Sequence, residues 1–160
     1  MIKRYLGAFI VLLTLAATST SAVYAVAPQG PAPRAVRAVV ELSKQQAKFY
    51  DRAGALLRTS PISSGAVQTP TPTGTFRVWK HKAETFSATN PDVRMSYMTN
   101  FSGSIGFHGI PFTREAGIKR PMYTPLGVYG ISHGCIRMRN VDARWVFEHL
   151  VIGAVVDVRP

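Results

Sequence analysis

Val36-Arg37-Ala38-Val39-Val40-Glu41-Leu42-Ser43 opens the folded part of the chain. Val36, Ala38, Val40 and Leu42 alternate with Arg37, Val39, Glu41 and Ser43. A period of two sends successive side chains to opposite faces, so this is a strand with one face more apolar than the other. Downstream, Ala47 to Tyr50 is a second strand candidate, Asp51-Arg52-Ala53-Gly54 a turn, and Ala55 to Ser63 a third strand. A loop from Gly65 to Gly74 carries Pro70 and Pro72, after which Thr75-Phe76-Arg77-Val78-Trp79 alternates again. Lys80 to Asp92 is polar and reads as irregular, and Ser104 to Gly109 fits a short buried strand. Ile110 to Gly130 holds too much Gly and Pro for one regular element and reads as a long loop; loops of that length in a compact domain are usually functional or disordered. One helix is expected, with Asn140 as N-cap, Asp142 in its first turn, and Ala143, Val146, Phe147 and Leu150 on its buried face. His149 falls in the last turn, Gly153 sits where the helix ends, and Ala154 to Val158 is a final strand. The expected fold is mainly β, a sandwich or partly closed barrel with one short C-terminal helix.

Upstream, Lys3 and Arg4 precede an apolar run from Tyr5 to Ala17, followed by the small and polar Thr18 to Ala22. Basic, apolar, then small is the order of a secretory signal peptide, with cleavage after Ala22 or Ala25. Residues 1–25 are therefore expected to be a leader, 26–34 a tether rich in Pro and Gly, and 35–160 the folded domain. The expected location is outside the cytoplasm, in a periplasm, a cell wall or the medium. The 160 residues carry a net charge of +11; loss of residues 1–25 leaves 17 basic residues against 8 acidic, or +9. That charge suits an anionic partner such as a wall polymer or acidic peptides. No basic helix or aromatic-rich RNA motif is present, which argues against nucleic acid.

The chain has one cysteine, so no internal disulfide supports the fold. It lies in Ser132-His133-Gly134-Cys135-Ile136-Arg137-Met138, with a further His108 in Gly106-Phe107-His108-Gly109. A thiol attacks a carbonyl as thiolate, and an imidazole that accepts the proton activates it. Glycine beside the nucleophile allows close approach of a substrate, and successive N–H groups of such a turn can hold an oxyanion. By spacing alone, a buried inert thiol in a glycine turn is an equal alternative. A zinc site from His108, His133 and Cys135 is a further one, although the spacings of common zinc motifs are missing.

The segment from Ser132 to Met138 resembles the signature of the L,D-transpeptidase catalytic domain, also called the YkuD domain. The resemblance extends to His108-Gly109, to Thr71-Pro72-Thr73-Gly74-Thr75-Phe76 and to Ser64-Gly65, and spans about Val36 to Val158. The separation of His108-Gly109 from Ser132 is longer than the common family pattern, the excess being Phe112 to Pro125. The resemblance implies action on peptidoglycan stem peptides, with cleavage between the third residue, a diamino acid, and D-Ala. It implies Cys135 as nucleophile forming a thioester, His108 as its base and Gly109 orienting that imidazole through its carbonyl. His133 and the N–H groups of Gly134 and Cys135 would surround the oxyanion. Arg137 would hold a substrate carboxylate or brace the loop, and Ser132 would shape it. Tyr97, shortly before the His108 strand, is a candidate groove residue, with a core position as the alternative. His81 and His149 are expected at the surface or the helix end. An amine of a second stem would resolve the thioester into a 3-3 cross-link; with water as acceptor the protein would be an L,D-carboxypeptidase. The resemblance implies no metal or organic cofactor, and implies acylation by carbapenems. A wall-binding module with a structural thiol remains the non-enzymatic alternative. A papain-type protease is disfavoured, because there the cysteine precedes the histidine.

Overall fold

The computed structural model describes residues 33–160; the expected leader and most of the expected tether lie outside them. In chain order the elements are β1 (Ala35–Glu41), β2 (Gln46–Tyr50), β3 (Leu56–Pro61), β4 (Gly74–Arg77), β5 (Lys80–Phe86), β6 (Arg94–Ser102), β7 (Ile105–His108), β8 (Phe112–Glu115), β9 (Ile118–Pro121), β10 (Ile136–Arg137), α1 (Asn140–His149) and β11 (Leu150–Arg159). The strands form two sheets. One has the order β3-β2-β1-β11-β4; the other runs β10-β7-β6-β8-β9, with β5 also paired to β6.

The first sheet follows the alternation seen in the sequence. Ala38 and Val40 of β1 are fully buried, as are Ala47 and Phe49 of β2. β11 runs parallel to β1, pairing Ala38 with Val156 and Val40 with Val158. The sheets pack face to face through aromatic contacts. Phe49 of β2 meets Phe107 of β7 edge-on at 5.7 Å, and Phe76 of β4 meets Phe101 of β6 at 5.6 Å. Such tilted pairs are favoured over flat stacking and add to the burial of both rings. The helix closes one end, burying Ala143 and Val146 in the same core. The mainly β sandwich with one short helix is thus the observed architecture.

Local expectations change at several points. Lys80 to Phe86 is a strand paired along β6, not an irregular segment. Its polarity reflects a face open to a groove rather than a lack of pairing. β6 itself is a nine-residue strand that the sequence reading does not mark. The long loop contains a hairpin, β8–β9, turned by Ala116 and Gly117 at φ 48° and 81°. Two positive φ values in succession match the two-residue turn whose twist suits a hairpin. Asn140 does not cap the helix. The capping position is Arg139, and Asn140 Oδ1 accepts the Ile110 N–H at 2.9 Å. Asp142 is in the first turn as expected, but fully buried. Its Oδ1 accepts two bonds from Arg58, at 2.9 and 2.6 Å, and its Oδ2 one from Arg139 at 2.6 Å. Gly153 lies within β11 at φ 85°, not at the helix end. Its N–H donates to the Val78 carbonyl, where β11 is irregular against β1.

Candidate active site

Cys135 stands just before β10, and the parallel pairing of β10 with β7 sets Arg137 beside His108. Cys135, His108, His133, Ser132 and Arg137 all line one groove of about 500 Å³. Its far wall is the β5–β6 hairpin, including Phe86, Met95 and Met98. The glycines permit the close packing this needs. A side chain on Gly106 would collide with the Thr99 carbonyl, and one on Gly65 with the Thr69 carbonyl.

The turn before Cys135 is held from inside. Thr71, itself buried, accepts the Gly65 N–H at 2.9 Å and donates to the Gly134 carbonyl at 2.8 Å. Ser132 Oγ donates to the Cys135 carbonyl and accepts the Gly134 N–H. Ser132 thus ties the two ends of this turn together. The Gly134 N–H, expected at the oxyanion, is engaged by Ser132 Oγ at 3.1 Å, and Gly134 is buried at φ 105° against Ile105. The left-handed φ, which glycine adopts without strain, lets the chain bend here.

His108 is 1% exposed. Its Nδ1 donates to the Gly109 carbonyl at 2.6 Å, which fixes the proton on Nδ1 and leaves the Nε2 lone pair free to act as a base. Gly109 is in turn fixed by its N–H to Ser96 at 2.9 Å and by Asn140 against its Cα. Burial pushes the His108 pKa down to about 4; the Gly109 bond opposes this and the Arg137 charge adds to it. Burial likewise raises the Cys135 thiol above its usual range, partly offset by the Gly106 backbone and by Arg137. Thiol and imidazole are therefore both neutral near pH 7. The thiol sits 3.8 Å from the Ser104 carbonyl.

Arg137 is half-buried. It donates to Thr124 Oγ1 at 3.3 Å, its Nε has no partner, and its backbone bridges to Ser63. His133 is exposed at the groove. Tyr97 does not line the groove. It turns toward the helix, with its ring 6.0 Å from Phe147, and its backbone has φ 59°. The groove face of β6 switches there, from Asn100 and Met98 on one side to Met95 and Val93 on the other. His81 is half-buried rather than a surface residue, its Nδ1 donating to the Phe147 carbonyl at 2.9 Å, whereas His149 stacks on Trp145 at the helix end. Thr71, Ser104 and Asn140 carry site geometry that the sequence reading leaves unassigned. Only Thr71 has a sequence signal, its place in the Thr-Pro-x-Gly segment. Among the described residues, His108, His133 and Cys135 do not gather into a three-ligand cluster.

The family model described as the L,D-transpeptidase catalytic domain, YkuD, matches residues 35–158. A curated Bacillus subtilis (strain 168) relative, YciB, whose name assigns it provisionally to the L,D-transpeptidases, is 32% identical over 117 residues, covering 69% of this chain and 60% of its own. The fold is similar to that of the L,D-transpeptidase LdtMt1 in complex with imipenem, with TM-score 0.62 and 22% identity over 79% of this chain and 59% of that one. It is also similar to Mycobacterium tuberculosis L,D-transpeptidase 3 in complex with a faropenem-derived adduct, with TM-score 0.60 and 22% identity over 79% and 61%. The chain thus spans about three fifths of the length of these relatives. With its domain matched almost end to end, the chain belongs to the YkuD family of L,D-transpeptidase catalytic domains.

Proposed function

We propose that this protein is an exported L,D-transpeptidase that forms 3-3 cross-links between peptidoglycan stems through a Cys135 thioester. The observation that carries the proposal is the placement of a thiol and a tautomer-fixed, buried imidazole on one groove. Because both groups are neutral at rest, the thiol proton passes to His108 Nε2 as sulfur attacks, after the Cys135 side chain turns from Ser104. The carbonyl of the stem's third residue becomes an oxyanion, met by the Cys135 N–H and by His133. Recruiting Gly134 as well requires breaking its bond to Ser132 Oγ. The bond to D-Ala then breaks, and the proton on His108 goes to the leaving amine. The side-chain amine of a second stem attacks the thioester, giving up a proton to His108, and the new amide forms as Cys135 leaves and regains its proton. Gly109 orients the base, Ser132 the loop, and Arg137 braces it beside the thiol. The basic charge suits an acidic stem polymer, and the leader at residues 1–25 carries the export part of the proposal.

The test uses disaccharide-tetrapeptides of defined third residue, with Cys135→Ala as control and products read by mass spectrometry. A Cys135-dependent dimer lacking one D-Ala is expected. Monomer that has lost D-Ala would identify a carboxypeptidase, and no Cys135-dependent change would overturn both activities in favour of a binding module.

A further inference from the structure

The strand registers arrange the groove side chains in two rows. Cys135 adjoins Ile136, which pairs with Phe107, so Cys135 stands level with Gly106; Gly106 pairs with Asn100, and Asn100 with Lys80. In the next row Arg137 pairs with His108, which the β6–β7 register brings level with Met98, and Met98 pairs with Lys82. Each row thus begins at the reacting end and finishes on a lysine. With strands roughly 4.8 Å apart, three steps separate the backbones by about 14 Å. The long, flexible lysine stem shortens that gap for the ammonium.

The charge along these rows is one-sided. Of the 17 Lys and Arg among residues 33–160, ten form ion pairs and seven do not. Three of those seven, Lys80, Lys82 and Arg137, line this groove, and no Asp or Glu lines it. The Lys80 ammonium lies 5.6 Å from the Trp79 ring centroid, and Trp79 also lines the groove. A cation–π contact favours that position of the charge without neutralising it. Phe86, Val93, Met95 and Met98 supply apolar surface nearby, which lowers the local dielectric and strengthens any ion pair made there.

We infer that Lys80 and Lys82 form the receiving site for a carboxylate on the side chain of the donor stem's third residue. The site selects a diamino acid that keeps that carboxylate free over its amidated form and over lysine. This rests on the stem-peptide substrate proposed above. Cys135 holds the third residue's carbonyl at one end of the row, and its side chain extends along the groove toward the two ammonium groups.

The experiment measures equilibrium binding of three tetrapeptides by calorimetry to the chain carrying Cys135→Ala. The peptides bear diaminopimelate, its side-chain amide or lysine at position three. The free carboxylate is expected to bind about ten-fold more tightly than either of the others, and added salt is expected to shrink the difference. In K80M/K82M the preference is expected to fall below about two-fold, while K80R/K82R keeps it. Both lysines are exposed, so neither pair of substitutions disturbs the core. Equal affinities for the three peptides, or a preference that persists in K80M/K82M, would overturn the assignment. D-Ala release by the unsubstituted chain is read separately. Selective binding without release would overturn the transpeptidase proposal and leave the carboxylate site standing, and release without selectivity would do the reverse.

Discussion

Acidification from pH 7.5 to 4.5 is expected to remove much of the stability that His108 contributes by being buried neutral. In the unfolded chain the imidazole takes a proton near its ordinary 6.5, whereas in the folded protein burial holds it at about 4. Between those values the unfolded state binds the extra proton, so stability is full above 6.5 and falls as pH drops from 6.5 through 4. At about 1.4 kcal/mol per pH unit the gap corresponds to about 3 kcal/mol, and somewhat more than half of it is lost by pH 5. His81, also pushed down by burial, works in the same direction. The carboxylates of Glu41, Asp142 and Asp157, held below their ordinary range by their cationic partners against the opposing effect of desolvation, act mainly at lower pH. His108→Gln keeps a polar side chain without the titration, and urea unfolding at pH 7.5, 6.5, 5.5 and 4.5 gives the stability of both proteins. The unsubstituted chain should lose about 2–3 kcal/mol more than His108→Gln across that window, the remainder going below pH 4.5. Parallel curves would refute the claim that the imidazole is buried and neutral.

Thr71→Val removes the hydroxyl that ties Gly65 to the Gly134 carbonyl; a loss of about 1–3 kcal/mol in urea unfolding is expected, with a larger fall in kcat than the fall in folded fraction explains. Asp142→Ala strands Arg58 and Arg139, and because Arg58 is partly exposed the loss should lie near the low end of the range for broken buried pairs, about 3 kcal/mol by thermal or urea unfolding. Alkylation of Cys135 by iodoacetamide should be slower near pH 7 than for a free thiol and should accelerate with pH to a midpoint above the ordinary thiol value, followed by intact mass; a midpoint below it would contradict the burial of the sulfur. Incubation with imipenem should add one drug mass to the folded protein and none to Cys135→Ala.

The parts of the fold with a periodic apolar face are legible in the sequence. Ala38, Val40, Ala47 and Phe49 each report burial through alternation, and Ala143 and Val146 through helical spacing. β5 escapes because its groove side carries Lys80, Lys82 and Thr85, so its pairing leaves no apolar rhythm. β9 escapes because all four of its residues are exposed. At the site, the places of Cys135, His108 and Gly109 are legible because each sits in a short motif, and the groove brings thiol and imidazole together with His108 Nδ1 on the Gly109 carbonyl. The role of Asn140 depends on where a helix start meets a turn thirty residues earlier, which no local pattern encodes. Of the two readings of Tyr97 the structure has the core position, because its left-handed backbone, which no local pattern announces, reverses which face of β6 looks into the groove. That the Gly134 N–H already has an acceptor in Ser132 Oγ is likewise invisible in the sequence.

The parallel pairing of β1 with β11 sets the order in which the molecule can assemble. Arg37 and Asp157, joined across that pair, stand 120 positions apart in the chain. β2 and β3 can zip onto β1 by local hairpins, but one edge of β1 stays open until β11 arrives. Closing so long a loop is slow, and contacts of this kind place a fold among the slower two-state folders. Until β11 arrives the first sheet holds only its β1–β3 meander, because β4 also pairs only with β11. A cut near Gly153 would leave the groove residues on a second sheet whose own pairings are untouched, while β4 would lose its link to the β1–β3 meander, which β11 alone supplies.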